Sequence, residues 1–124
     1  MFLASIEPWH GKQVVVYTTG RGGAWKRQVI DTTLVDGHAL VAADLDGGGV
    51  DEIIAGQRGG PRSVWIDATS ADGTRWTRTT LDDRGMGAAG CTTADLDGDG
   101  RIDVACVATA TLKWYRNLGP PRAR

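Results

Sequence analysis

Residues 94–103 read ADLDGDGRID, with carboxylates at 95, 97, 99 and 103 and glycines at 98 and 100. Residues 43–52 read ADLDGGGVDE, a weaker copy of the same run. Four carboxylates in so short a stretch repel one another and cost stability unless something neutralises them. A hard cation would do so. Calcium takes about six to eight oxygens, and a tight loop with oxygen donors at alternate positions supplies them. The spacing predicts Asp95, Asp97 and Asp99, the carbonyl of Arg101, and Asp103 as ligands of a structural calcium ion. Gly98 and Gly100 let the backbone curl so that the oxygens converge. In the first copy Asp44, Asp46 and Glu52 take the matching places, Gly48 stands where the second copy has aspartate, and Val50 offers only its carbonyl. Weaker binding is expected there. No glutamate sits at position 12, so neither run is an EF-hand loop. The competing reading is an acidic hairpin turn without a metal, because Asp-Gly pairs are ordinary turn residues.

The two runs are parts of a repeat. Asp44 and Asp95 lie 51 residues apart, as do Trp25 and Trp76, and Asp31 and Asp82. WKRQVID at 25–31 therefore falls on WTRTTLD at 76–82. The same offset lays FLAS (2–5) on IIAG (53–56), so that the chain starts where an acidic loop would have just ended. Near the other end, DVACVA and LKWYRN fall on EIIAGQ and SVWIDA, with the connection two residues shorter. Each full repeat holds four short strands, A to D, and the chain runs B-C-D, A-B-C-D, A-B-C. Four-stranded units of this length are the blades of a β-propeller. The expected fold is all-β, a partial propeller of about two and a half blades with four antiparallel strands in a complete blade. The expected divisions are an incomplete blade at 1–38, a complete blade at 39–83, an incomplete blade at 88–117 and a tail at 118–124, whose two prolines make a poor strand.

Composition agrees with an all-β chain and narrows the function. Eighteen glycines and short β-branched runs suit strands and turns. Fourteen basic residues stand against fifteen acidic ones, without a basic run, so neither nucleic acid nor an anionic membrane is an expected partner. No apolar run reaches bilayer length. The N-terminus, MFLASIEPWHG, lacks the basic and apolar regions of an export signal. Calcium loops favour an extracellular or periplasmic setting. Cys91 and Cys106 flank the second acidic loop, which puts them on neighbouring strands. A bridge between adjacent antiparallel strands is usually strained, so the expectation is two small buried apolar residues rather than a disulfide.

ADLDGDGRIDVACVA and ADLDGGGVDEIIAG resemble the FG-GAP/VCBS repeat, the blade of integrin-α-like propellers. The resemblance implies that the acidic loops join strands A and B and hold structural calcium. Members of that family usually have seven blades, more than this chain holds. IEPWHGKQVVVYT, DTTLVDGHALVAADLDGGG and LKWYRN also resemble the propeller of the aldos-2-ulose dehydratase group, whose members act on sugar-derived ketones and carry further domains.

No G-x-S-x-G, C-x-x-C or H-E-x-x-H pattern occurs, and no acid–base pair is evident, so the expectation leans away from catalysis. The weak catalytic candidates are His10 and His38. His38 breaks the repeat, because its counterpart is Ala89, and it falls at the mouth of the central channel. With Trp9 the two histidines could form a sugar or metal pocket; the plainer reading is a loop histidine bonded to backbone. Trp25, Trp76, Trp65 and Trp114 recur on matching strands and are expected between blades, leaving Trp9 as the exposed contact. The missing strands leave two blade faces open. Further blades or a second copy, with a two-fold dimer as the default, are the expected partners. The leading expectation is a calcium-stabilised scaffold or binding module; a dehydratase relative and a carbohydrate-binding lectin are the alternatives.

Overall fold

The computed structural model describes residues 1–120; residues 121–124 of the predicted tail lie outside them. Ten strands follow in chain order: β1 (Phe2–Glu7), β2 (Gln13–Thr19), β3 (Trp25–Asp31), β4 (Gly37–Ala43), β5 (Glu52–Gln57), β6 (Val64–Thr69), β7 (Trp76–Asp82), β8 (Gly90–Ala94), β9 (Asp103–Val107) and β10 (Leu112–Tyr115). They pair antiparallel into three sheets, β1-β2-β3, β4-β5-β6-β7 and β8-β9-β10. These are the blades of a partial propeller, and the only other regular element among the described residues is a 3-10 turn at Arg21–Gly23.

Two apolar junctions join the three blades. β5 is buried along its whole length, because it lies between both neighbours. Its side chains alternate: Ile53 and Ala55 pack toward the first blade with Val14, Val16 and Leu34, and Ile54 packs toward the third with Met86, Val104 and Cys106. Burial on both faces is why this strand reads as a continuous apolar run. Two close approaches set the spacing. A Cβ on Gly37 would lie 2.8 Å from Leu34 and 3.0 Å from Ile6 across the first junction. A Cβ on Gly56 would lie 2.8 Å from that of Ala88 across the second. Pairing register makes Ile6 and Gly56 equivalent, since they face Val14 and Val64. The large residue thus meets glycine in one junction, and the glycine meets alanine in the other.

Polar clamps tie the outer parts of the same junctions. Arg78 on β7 pairs with Asp67 of its own blade at 2.7 Å and with Asp31 of the first blade at 3.1 Å, and it lies over the Trp65 ring. Asp82, the repeat counterpart of Asp31, accepts from Lys113 at 2.9 Å and from the Tyr115 hydroxyl of the third blade. Burial alone would raise the Asp82 carboxyl; the Tyr115 and Lys113 hydrogen bonds outweigh it and hold the group below the usual range.

The structure corrects three expectations. Leu3, not Phe2, is the counterpart of Ile53, because both face the third-from-last residue of the neighbouring strand, Tyr17 and Asp67. The FLAS alignment is one residue out, and Phe2 points toward the second blade, where it meets Trp76 edge-on at 5.5 Å. The connection before β10 is shorter by three residues rather than two, so Trp114 matches Ile66 and not Trp65. Trp65 and Trp76 pack in the first junction, whereas Trp25 and Trp114 are half exposed. Cys91 and Cys106 form a disulfide. They are direct register partners on β8 and β9 with Cα atoms 4.1 Å apart, close enough to bridge.

Candidate functional site

Both acidic runs form loops between strands A and B, β4 to β5 and β8 to β9. Gly98 and Gly100 have φ of 76° and 88°, a conformation that a side chain would oppose, and Gly47 and Gly49 repeat it in the first loop. The turns fold the carboxylates inward. In the first loop, oxygens of Asp44, Asp46 and Glu52 lie within 4.8 Å of one another; in the second, those of Asp95, Asp97 and Asp99 do so.

The two loops neutralise their charge differently. In the first, Asp44 Oδ2 accepts from Gly49 N at 2.9 Å, and Asp46 Oδ1 from Gly48 N at 2.7 Å. Asp44 Oδ1 is buried and has no hydrogen-bond partner. Such an oxygen is costly unless something compensates it, and a cation is what this donor set fits. Burial raises the Glu52 carboxyl, opposed by the Leu45 N–H at 2.8 Å and reinforced by Asp46. Val50 is exposed at the loop tip.

In the second loop, Asp95 accepts three backbone N–H groups, from Gly98, Asp99 and Gly100. Arg101 donates its backbone N–H to Asp99 at 2.9 Å and pairs its guanidinium with the same carboxylate at 3.1 Å, which lowers the Asp99 carboxyl. Arg116 pairs with Asp97. Asp103 has a different task from its three neighbours. It is buried and accepts from Asn117 N at 2.7 Å and from Leu96 N at 3.0 Å, and these bonds hold its carboxyl low.

Asn117, which sequence reading passed over, joins the two loops. Its amide donates to Leu45 O of the first loop at 2.6 Å and to Ile102 O of the second at 3.0 Å. Only its place after LKWYR at the end of a repeat could have drawn attention to it. Behind it, between the second and third blades, lies a cavity of about 740 Å³ lined by Ile66, Leu81, Val104, Tyr115 and Leu118.

The weak catalytic candidates meet at the opposite end of the blades. His10 and His38 stack with ring centroids 4.6 Å apart, and Trp9, almost fully exposed, lies 4.2 Å from His10. His38 Nδ1 is 2.6 Å from Ala89 O, its own repeat counterpart. A carbonyl only accepts, so Nδ1 carries the proton and Nε2 of a neutral ring keeps its lone pair. His10 Nε2 is buried without a partner, and Asp36 lies 3.8 Å from its Nδ1. His10 and Asp36 both have positive φ, at 57° and 53°.

Fold and loops together define a repeat propeller with acidic A–B loops. A family model described as an FG-GAP-like repeat matches residues 44–106, from the first acidic loop to the strand after the second. That match spans just over half of the 124 residues, and the chain belongs to the FG-GAP-like repeat family. No curated protein and no solved structure matches the chain significantly, so the narrower likeness to the dehydratase propeller gains no support from them.

Proposed function

We propose that this propeller module is a non-catalytic scaffold or binding unit whose A–B loops each hold a calcium ion and whose ring is completed by a second copy. The observation that supports it best is the first loop, where a buried, unpartnered Asp44 oxygen stands among the carboxylates of Asp46 and Glu52. The bound ion would supply positive charge only. The chain's own residues do the rest: the glycines aim the carboxylates, and Asp103 and Asn117 fix the loops to the blades. Because Arg101 and Arg116 already offset charge in the second loop, the first loop is the tighter site under this reading, the reverse of what carboxylate number alone suggests.

Calorimetric titration with calcium after chelator treatment tests the proposal. Saturable heat and a raised melting temperature are expected, both diminished in Asp44→Asn. A site filled to about a hundred times its dissociation constant adds about 2.7 kcal/mol. Neither heat nor a shift would end the calcium reading.

A second reading rests on the channel mouth. Trp9, His10 and His38 come together there, with one ring nitrogen buried and unpartnered, which suits a small polar ligand such as a carbohydrate. Tryptophan fluorescence titrated with sugars and sugar ketones would detect it, and a response unchanged in Trp9→Ala would dismiss it.

A further inference from the structure

We infer that a second copy docks head to tail, with the open face of its first blade on the open face of this chain's third blade. This rests on the self-association proposed above and names its surface.

The junctions within the chain are the template. Across the first junction, the second blade offers Ile53, Trp65, Trp76 and Arg78 to the blade before it. By register the same places on the first blade are held by Leu3, Val15, Trp25 and Arg27. Among the described residues no blade packs on this face: Leu3 and Trp25 are 57% and 51% exposed, while Val15 is buried beneath them. Arg27 turns back to Glu7 on its own blade at 2.6 Å, whereas Arg78 reaches across to Asp31.

Across the second junction, the second blade offers Ile54, Gly56, Val64 and Ile66 to the blade after it. Their matches on the third blade are Ala105, Val107, Leu112 and Trp114. Val107 is 47%, Leu112 75% and Trp114 51% exposed. One end of the chain thus carries the trailing half of a blade junction and the other end the leading half. A contiguous apolar patch of this kind marks a contact surface. Two copies related by a two-fold axis along the channel make this contact twice and leave neither face open.

Light scattering behind a sizing column, in calcium buffer, tests the inference with Leu3→Asp and Trp114→Lys. Both positions are exposed, and unchanged circular dichroism would verify that the variants fold. The wild type is expected at twice the 13.2 kDa chain mass and each variant at half the wild-type value. An equimolar mixture of the two variants is expected to recover the dimer, because it contains one unaltered junction and sets Asp against Lys in the other. If both variants remain dimers, the head-to-tail surface is wrong while self-association stands. Dissociation of only one variant would point to a like-with-like contact and overturn the inference. A monomeric wild type would overturn the inference and the self-association together.

Discussion

Asn117 bonds to both acidic loops, and nothing else among the described contacts joins them so directly. Replacing it by alanine leaves the carbonyls of Leu45 and Ile102 without their donor. Each unsatisfied group costs about 1–3 kcal/mol. Asn117→Ala should lower stability by about 2 kcal/mol in urea unfolding and, under the calcium proposal, weaken the titration at both loops. Loss at one loop alone would show that Asn117 does not couple them. Glu7 gives an acid response. Hydrogen bonds from Ser5, then Tyr17 and Arg27, pull its carboxyl from 4.5 down to about 2. A carboxylate lowered on folding stabilises fully above its unfolded value and loses that contribution as the pH falls through the folded one. The wild type should therefore lose stability between pH 4.5 and 2. Glu7→Gln should flatten that slope, and identical pH profiles for the two proteins would remove Glu7 from the account.

At the scale of strands, the repeat made the order of elements legible. WKRQVID and WTRTTLD are β3 and β7 to the residue, and the acidic runs fall between paired strands as their spacing demands. Register was not legible. FLAS and LASI are equally apolar beside IIAG, and their one shared polar residue, the small Ser5, falls on alanine or glycine and marks neither face. Only the hydrogen-bonded pairing with β2 decides, and that strand is itself irregular between Val14 and Val15. A one-residue slip sends every side chain to the opposite face, which is how Trp114 came to be expected inside and lies outside. Within the candidate site, the alternating carboxylates were visible, but the diversion of Asp103 to backbone was not, since it depends on Asn117 fourteen residues away. The disulfide was missed because the usual strain of a bridge between adjacent antiparallel strands argued against it, whereas direct opposition brings these two Cα atoms to 4.1 Å. Close packing at Gly56 gives a test at this scale. Gly56→Val places branched carbon against Ala88 and should cost about 1–3 kcal/mol. Unchanged urea midpoints would mean that the second junction can open without penalty.

The molecule as a whole is a short stack of blades with a sandwiched middle and two terminal members, and in such arrays stability is a sum of units and nearest-neighbour junctions. The terminal blades are not equal. The third has only three strands, yet Cys91–Cys106 staples its inner pair, closing a loop of 15 residues. Closing a loop of that size contributes about 3 kcal/mol by restricting the unfolded chain. Replacing both cysteines by alanine should lower stability by about that amount; no loss would mean the strand pairing alone carries the blade. The first blade, also three-stranded, has no such staple. The staple therefore gives the array a direction of unravelling. Amide exchange should run faster in β1 to β3 than in β8 to β10, and reduction should erase the difference between these terminal blades. A chain that frays from one end only presents its loosened strands at a defined place, so proteases, chaperones or an incoming blade would all meet the N-terminal end first.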